Sequence, residues 1–309
     1  MSAYRMEDFS EGAAWVRGEI VPIGQASIPV TDWGLTHSDA VYDVVPVWDG
    51  AFFRLDDYLE RFMASMQRLR LKPAEGRAEI RSALIAMVAA SGLRRSYVAM
   101  VCSRGQPFVP GTRDPRHCAN HFFAWCVPYV HVFGADAATR GIRLWVGKDV
   151  RRIPDDSVDP RAKNYHWGDF TQGLFEAKDA GFDSVLLLDH AGNVTEGPGY
   201  NIFAVKDGRV ITPEYGCLEG ITRRTAMEIA EDTGHRVEVR TLPLAELQQA
   251  DELFAVTSGG GPVPVTHLDE RVFSNGAEGA ATASIRERYW ELVRSSHHLI
   301  PVAYPQAAE

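Results

Sequence analysis

The feature that most limits the fold of this chain is the order of strand and helix patterns in its first 130 residues. Alternating apolar residues around glycine turns predict hairpins, and apolar residues at helical spacing predict amphipathic helices. The predicted elements are hairpins over 13–22 and 40–55, helices over 56–71 and 78–91, and strands over 96–105 and 121–130. Strands and helices that come in separate blocks are typical of an α+β domain. We therefore predict a small α+β domain over residues 1–130.

The rest of the chain repeats these patterns after a short irregular stretch. Residues 131–140 are small and lose the strand alternation, so we take them as an interdomain linker. The elements predicted beyond it are a strand over 142–152, a helix over 169–181, strand pairs over 184–197 and 201–213, a helix over 220–234, strands near 236–240 and 252–257, and a helix near 280–296. The sequence predicts a larger C-terminal domain over 141–309, in a two-domain α+β or α/β arrangement.

The composition narrows the class of protein. The formal net charge of −9 argues against a nucleic acid or an anionic membrane as the main partner. The four cysteines show no CxxC pair and no zinc-ligand spacing. No apolar run reaches about 18 residues, and the first residues are polar. We expect a soluble cytoplasmic protein without a metal site.

One lysine stands out in the stretch DPRAKNYHWGDF, residues 159–170. Lysine is rare in this chain and occurs at Lys72, Lys148, Lys163, Lys178 and Lys206. Lysine, unlike arginine, can lose its proton near neutral pH and attack a carbonyl carbon when it is held out of bulk water. Its neighbours Tyr165 and Trp167 could supply such a setting. The alternative is a loop lysine whose stem packs on aromatic rings while its ammonium stays in water.

Three further motifs could carry chemistry. Glu196 in TEGPGYN is placed to accept a charge-assisted hydrogen bond from a protonated ring nitrogen, although it could equally be a solvated hairpin residue. Gly220 precedes a helix that starts at Ile221–Thr222, which predicts a phosphate site, although Thr222 could simply cap the helix. The run VTSGGG, 256–261, offers further N–H and hydroxyl groups or is a flexible loop.

Taken together and in order, these motifs resemble the fold-type IV pyridoxal-phosphate enzymes. The matching runs are KNYHWGD, TEGxGxNI, GITR and TSGG, within a similarity that extends from about residue 12 to residue 300. The group contains branched-chain aminotransferases, D-amino-acid aminotransferases, (R)-selective amine transaminases and aminodeoxychorismate lyases. The resemblance implies that pyridoxal 5'-phosphate is the cofactor.

The resemblance also implies roles for particular residues. Lys163 would be the Schiff-base lysine and proton shuttle, and Glu196 would pair with the pyridine nitrogen. The phosphate would be bound by Ile221, Thr222, Thr257, Ser258 and Arg61, the last as the match to a family H-x-x-R-L pattern that reads YLERF here. The helical periodicity opposes the last assignment, because Arg61 falls about 120° away from the apolar stripe.

The run THSDAVYDVVPVWDGAFFRLDD most resembles the (R)-selective amine transaminases. This implies a substrate pocket lined by His37, Tyr42, Val44, Tyr97, Ala99 and Trp167, with Arg113 on a mobile loop to bind a carboxylate. The alternative for Arg113 is an exposed loop arginine. Two departures from the family are Pro198, where relatives often carry serine, and Pro46 in the second hairpin pattern.

The predicted function is that of a homodimeric transaminase with its active site near the dimer interface. It would move an amino group from an (R)-amine or D-alanine to a keto acid or ketone by a ping-pong mechanism. The alternatives are a D-amino-acid or branched-chain amino-acid aminotransferase, an aminodeoxychorismate lyase, and a catalytically silent small-molecule-binding protein on the same fold.

Overall fold

The structure is a computed structural model that describes residues 8–305. The described chain divides into two compact units, each with its own sheet. Residues 8–130, 162–165 and 294–305 form the first unit, and residues 131–161 and 166–293 form the second. The expected two-domain α+β fold is confirmed.

The regular elements follow one another in chain order. The strands are β1 Ala13–Val16, β2 Glu19–Pro22, β3 Ala40–Trp48, β4 Ala51–Phe53, β5 Ser96–Pro107, β6 Cys118–Pro128, β7 Ile142–Val146, β8 Ser184–Leu186, β9 Glu196–Gly197, β10 Tyr200–Lys206, β11 Arg209–Pro213, β12 Arg236–Arg240, β13 Glu252–Thr257, β14 Gly261–Leu268, β15 Arg271–Val272 and β16 Leu299–Pro301. The helices are α1 Trp33–Thr36, α2 Leu55–Arg68, α3 Arg77–Ser91, α4 Ala137–Arg140, α5 Gly168–Asp179, α6 Ile221–Asp232, α7 Leu244–Leu247 and α8 Ala280–Ser295.

The first unit contains a seven-stranded sheet in the order β16-β4-β3-β5-β6-β1-β2. Neighbouring strands are antiparallel throughout, and both predicted hairpins are present. Helices α2 and α3 contact β3 and β1 of this sheet. The apolar face of α2 is buried at Leu55, Leu59, Phe62 and Met66, because a helix of a globular protein turns its apolar face toward the core.

The second unit contains a nine-stranded mixed sheet. Seven strands follow the order β12-β11-β10-β13-β14-β7-β8, while β15 pairs with β14 and β9 pairs with β10. The pairs β11–β12, β14–β7 and β7–β8 are parallel, and the others are antiparallel. Its core is a cluster of aliphatic and aromatic side chains from β7, β10, β13 and β14. The long predicted strand over 142–152 ends at Val146, before the loop that contains Arg152.

Three segments lie elsewhere than the predicted domain boundaries suggest. Residues 294–305, predicted in the C-terminal domain, belong to the first unit, where β16 pairs with β4. Residues 131–140, predicted as a linker, belong to the second unit, where Phe133 and Ala137 are buried in the core and α4 occupies the end of the segment. Residues 162–165 group with the first unit, although prediction placed Lys163 in the C-terminal domain. These residues join the first unit because their backbone pairs with β3, and no local sequence pattern predicts this pairing.

Within residues 8–305, no helix combines the length and the apolar character needed to cross a membrane.

Candidate functional site

Lys163 is held in the first unit through its backbone. Its carbonyl oxygen accepts a hydrogen bond from the N–H of Tyr42 at 2.9 Å, and its own N–H donates to Oγ of Ser65 at 3.1 Å. Asn164 forms a bridge with Val41 on the same strand. The segment therefore runs beside β3 as a short extra strand, which fixes the direction in which the lysine side chain leaves the backbone.

The ammonium group of Lys163 lies against an aromatic ring. Its Nζ is 4.5 Å from the centroid of the Tyr42 ring, and that ring stacks on Tyr165 at 4.3 Å and 12°. A cation over a ring face gains about 0.5–2 kcal/mol, more when it is shielded from water. Burial raises the pKa of Tyr165, so this ring stays neutral at physiological pH. Lys163 is half-buried in this aromatic setting.

Four predicted pocket residues lie on one face of the first sheet. Val44 pairs with Ala99, and the residue two positions after Val44 on β3 pairs with Tyr97. Because side chains alternate along a strand, Tyr42, Val44, Tyr97 and Ala99 all point to the same side of the sheet. Trp125 on β6 pairs with Ala99 and stacks on Tyr97 with centroids 5.7 Å apart. The alternation within β6 was the available signal for Trp125, which the sequence reasoning did not single out.

Arg61 lies on the opposite side of the same sheet. Its Nε and Nη2 donate to the two carboxylate oxygens of Asp43 at 2.8 and 2.6 Å. The expectation from helical periodicity, that Arg61 points outward, is wrong: its side chain is 10% exposed and that of Asp43 is fully buried. Burial opposes the charged form of Arg61, but Asp43 outweighs this effect and raises the pKa of the guanidinium. A buried partner on β3 thus draws the arginine inward.

His37 and Arg113 are both exposed. The ring of His37 stacks on Trp33, at the end of α1. Arg113 lies in the segment between β5 and β6, and it makes no hydrogen bond or ion pair with any residue between 8 and 305. In the same segment Arg116 is also exposed, but it is bound to the carboxylate of Asp114.

Glu196 is buried in the second unit, where its carboxylate accepts hydrogen bonds. Its Oε2 accepts from the N–H of Leu218 at 2.9 Å and from the amide of Asn201 at 3.4 Å, and its Oε1 accepts from Nη2 of Arg152 at 3.3 Å. The solvated hairpin glutamate of the alternative interpretation is not what the structure contains, since this residue is 5% exposed.

The turn after Glu196 explains the unusual Pro198. Gly199 has φ of +81°, and Gly197 pairs with Tyr200 across the turn. Proline followed by a glycine with positive φ suits a type II turn, because proline presets the first central residue and glycine alone tolerates the second without strain. Pro198 therefore serves the turn that positions Glu196.

Two charged residues beside Glu196 were missed by the sequence reasoning. Nη1 of Arg152 donates to Oδ2 of Asp169 at 2.6 Å, so that Arg152 stands between two buried carboxylates. Arg152 lies 44 positions from Glu196 along the chain, and no local pattern links the two.

The N-terminus of α6 offers a second polar feature of this unit. The N-cap residue of α6 is Gly220, and Thr222 lies inside the first turn. The alternative that Thr222 caps the helix is therefore wrong. Within the described part of the chain, the buried Oγ1 of Thr222 has no hydrogen-bond partner. A side chain at position 220 would collide with Asn201, since a Cβ there would lie 2.2 Å from its Oδ1.

The remaining predicted residues of this unit lie at element ends. Thr257 is the buried last residue of β13, and its Oγ1 accepts from the N–H of Gly259 at 3.2 Å. Ser258 is half-buried in the turn that follows. Trp167 is the N-cap residue of α5 and packs edge-on against Phe170.

The sequence matches a known enzyme family over most of its length. Residues 40–268 match the family described as Amino-transferase class IV. The chain is 31% identical over 281 residues to the putative branched-chain-amino-acid aminotransferase of Methanocaldococcus jannaschii, a match that covers 90% of this chain and 95% of that protein.

Solved structures of branched-chain amino acid aminotransferases are also similar to this chain. The branched-chain amino acid aminotransferase of T.th. with pyridoxamine 5'-phosphate superposes with a TM-score of 0.88 at 28% identity, and the match covers 95% of this chain and 99% of that one. The same enzyme complexed with N-(5'-phosphopyridoxyl)-L-glutamate gives 0.87 at the same identity and coverage.

The residues of the second unit fit the cofactor of this family. The unpartnered hydroxyl of Thr222 and the first N–H groups of α6 suit a phosphate, since helix N-termini attract anions. Arg152, Asp169 and Glu196 together carry one excess negative charge, which suits a protonated ring nitrogen. The chain belongs to the class IV aminotransferases, and it is a pyridoxal 5'-phosphate-dependent enzyme of fold type IV.

Proposed function

We propose that this enzyme is an amino-acid aminotransferase of the branched-chain type, which uses an amino acid as donor and a keto acid as acceptor. Its curated relatives and structural neighbours are named as branched-chain aminotransferases, which favours this function over the (R)-amine transaminase first expected from the sequence. L-Glutamate, present in the adduct bound to one neighbour, is the proposed partner donor.

We assign the chemistry to particular residues. When bound, pyridoxal phosphate supplies a carbonyl carbon for the amino group and a ring that withdraws electrons. Nζ of Lys163 would hold the cofactor covalently until the donor amine replaces it there, and the freed amine would then move the proton that leaves the donor carbon. Glu196 would pair with the ring nitrogen and keep it protonated. The phosphate would be bound by Ile221, Thr222, Thr257 and Ser258.

Arg61 is proposed as a support for the phosphate site rather than as its main ligand. Two of its donors already bind Asp43, so the carboxylate of Asp43 largely neutralises its positive charge. The proposed pocket wall is the face that carries Tyr42, Val44, Tyr97, Ala99 and Trp125, whose apolar surface suits a branched side chain. His37 and Trp167 stay as predicted contacts with the substrate.

The observation that carries the proposal is Arg113. It is exposed and has no carboxylate partner in the described chain, whereas the nearby Arg116 is paired. A guanidinium fork binds a carboxylate with two parallel hydrogen bonds, and amino acids and keto acids both offer one. A simple amine does not.

The test is a donor panel combined with two matched arginine variants. We expect turnover of L-leucine, L-valine and L-isoleucine with 2-oxoglutarate. The Arg113→Met variant should raise KM for the keto acid about 10-fold or more, as expected when a charge-assisted contact of about 1.5–3 kcal/mol is lost. Arg116→Met, the control, should change KM less than about twofold. Equal effects of the two variants would refute the role of Arg113.

The second candidate is an (R)-selective amine transaminase. It is favoured by the run THSDAVYDVVPVWDGAFFRLDD, which forms β3, β4 and the start of α2 and places Tyr42 beside Lys163. Assays of (R)- and (S)-1-phenylethylamine and of D-alanine with pyruvate separate the two functions. Fast turnover of the (R)-amine without turnover of L-branched-chain donors would replace the first proposal by the second.

A homodimer in the cytoplasm completes the proposal. Five apolar side chains of the first unit are exposed on two segments that a Gln106–Thr31 hydrogen bond joins: Ile28, Val30, Leu35, Phe108 and Val109. An exposed apolar patch of this kind marks an interaction surface. Light scattering after size-exclusion chromatography checks the mass, and a monomer at micromolar concentration would contradict the dimer.

A further inference from the structure

Arg152 bridges two buried carboxylates unequally. The distance from its Nη1 to Oδ2 of Asp169 is 2.6 Å, and the distance from its Nη2 to Oε1 of Glu196 is 3.3 Å. The side chains of the three residues are only 6–8% exposed. Because charge-assisted hydrogen bonds near 2.7 Å are strong and weaken with length, Arg152 is bound mainly to Asp169.

Asp169 is itself fixed in place. Its Oδ2 also accepts from the N–H of Ile153 at 3.0 Å, and its Oδ1 accepts from the N–H of Phe170 at 2.8 Å. It lies in the first turn of α5, where the helix dipole favours a negative charge. The guanidinium of Arg152 also lies 4.2 Å from the centroid of the Phe170 ring. These contacts hold Arg152 back from Glu196.

The charges of the cluster do not cancel. One guanidinium faces two carboxylates, and the hydrogen bonds that Glu196 accepts from Leu218 and Asn201 come from neutral donors. Since Arg152 binds Asp169 more closely than Glu196, Glu196 is the less compensated by Arg152 of the two carboxylates. An excess of buried negative charge is unfavourable, so this site attracts a cation.

We propose that Arg152 and Asp169 are positioning residues which set how much negative charge Glu196 presents to a protonated ring nitrogen. Asp169 restrains Arg152, and this restraint lets Glu196 act as the counter-ion of the ring. The proposal rests on the role proposed above for Glu196.

The single and the double variant are expected to change the charge that Glu196 presents in opposite directions. Asp169→Asn releases Arg152, which then pairs with Glu196 and cancels its charge, so a protonated ring is bound less tightly. The double variant Arg152→Gln/Asp169→Asn removes one charge of each sign and returns the excess negative charge to Glu196. It also avoids the folding defect that two uncompensated carboxylates would cause after loss of Arg152 alone.

The experiment measures the binding of two probes to the apoenzyme by equilibrium dialysis. One probe is pyridoxal phosphate, and the other is its 1-deaza analogue, which has the same phosphate and aldehyde but carbon in place of the ring nitrogen. In Asp169→Asn, we expect the affinity for pyridoxal phosphate to fall about 10-fold and that for the analogue to change less than about twofold. The double variant should regain most of the preference for the natural cofactor.

Matched controls separate this inference from the function proposed for Glu196. Asp183→Asn breaks a comparable aspartate–arginine pair, with Arg140 at 2.9 Å, and should leave both affinities unchanged. If Glu196→Gln abolishes the preference for pyridoxal phosphate but Asp169→Asn weakens both probes equally or neither, the positioning role is refuted. If Glu196→Gln itself leaves the preference intact, the role of Glu196 falls and the inference falls with it.

Discussion

The regions around Lys163 and Glu196, each within its own unit, differ in how their buried charges are balanced. Lys163 lies over the ring of Tyr42 on β3, and the buried ion pair on that strand, Arg61 with Asp43, balances one charge against one. Around Glu196, one arginine faces two carboxylates. A balanced buried pair needs no further counter-ion, whereas an unbalanced cluster favours a cation. We therefore propose that the excess negative charge around Glu196 serves the protonated ring of the cofactor.

The largest effect is expected from Lys163→Ala. If the aromatic setting serves a reactive amine, turnover should fall by about 10³-fold or more, since both covalent binding and proton transfer are lost. Borohydride should then no longer trap the cofactor on the protein, as measured by mass spectrometry. Lys178→Ala is the control, because that ammonium binds the backbone carbonyl of Asp183. Unchanged turnover in Lys163→Ala would refute the assignment.

The balanced pair should behave as a structural element. Asp43→Asn leaves the buried guanidinium of Arg61 without its counter-ion, and we expect the free energy of unfolding to drop by about 3–5 kcal/mol. Urea denaturation of the apoenzyme measures it. In the double variant Arg61→Met/Asp43→Asn the loss should be smaller, because no charge is left buried. A loss below about 1 kcal/mol in Asp43→Asn would show that the pair is not needed for stability.

The unbalanced cluster should show its effect in catalysis instead. Glu196→Gln removes the excess negative charge but keeps the shape of the side chain. We expect kcat to decrease about 10- to 100-fold, as for the loss of a charge-assisted hydrogen bond of about 1.5–3 kcal/mol. Single-turnover kinetics followed by cofactor absorbance measure this step. A variant as fast as the parent enzyme would contradict the counter-ion role.

The smallest effects are expected at low pH, on the stability contributed by two carboxylates, one in each unit. Burial opposes ionisation of Asp32 and Asp183, but hydrogen bonds from His121 and Ser103, and from Arg140, lower their pKa below the usual 3.8. Their contribution to stability is therefore full above about pH 4 and is lost as pH falls through the lowered pKa.

Asp32→Asn and Asp183→Asn should each destabilise the protein by about 1 kcal/mol near pH 6. The difference from the parent protein should shrink on acidification below about pH 4, as measured by thermal unfolding between about pH 3 and 6. A difference that grows on acidification would contradict the direction of both pKa shifts.

The candidate site was only partly readable from the sequence. The motifs around Lys163, Glu196 and Thr222 are local, and the structure gives each of them a buried or half-buried setting. The orientation of Arg61 was mispredicted, because a helical stripe counts apolar residues and cannot register a buried carboxylate on a neighbouring strand. Arg152, Asp169 and Trp125 were missed because their partners are far away in the chain.

The sequence by itself determined the longer helices, the hairpins and the order of the cofactor motifs, because helical and strand periodicity and turn chemistry act over a few residues. The tertiary structure alone decided that 162–165 joins the first sheet, that Asp43 draws Arg61 inward, and that Arg152 lies between Asp169 and Glu196. The physical reason is common to all three. Strand pairing and the compensation of buried charge depend on which distant residues meet, and only the folded chain brings them together.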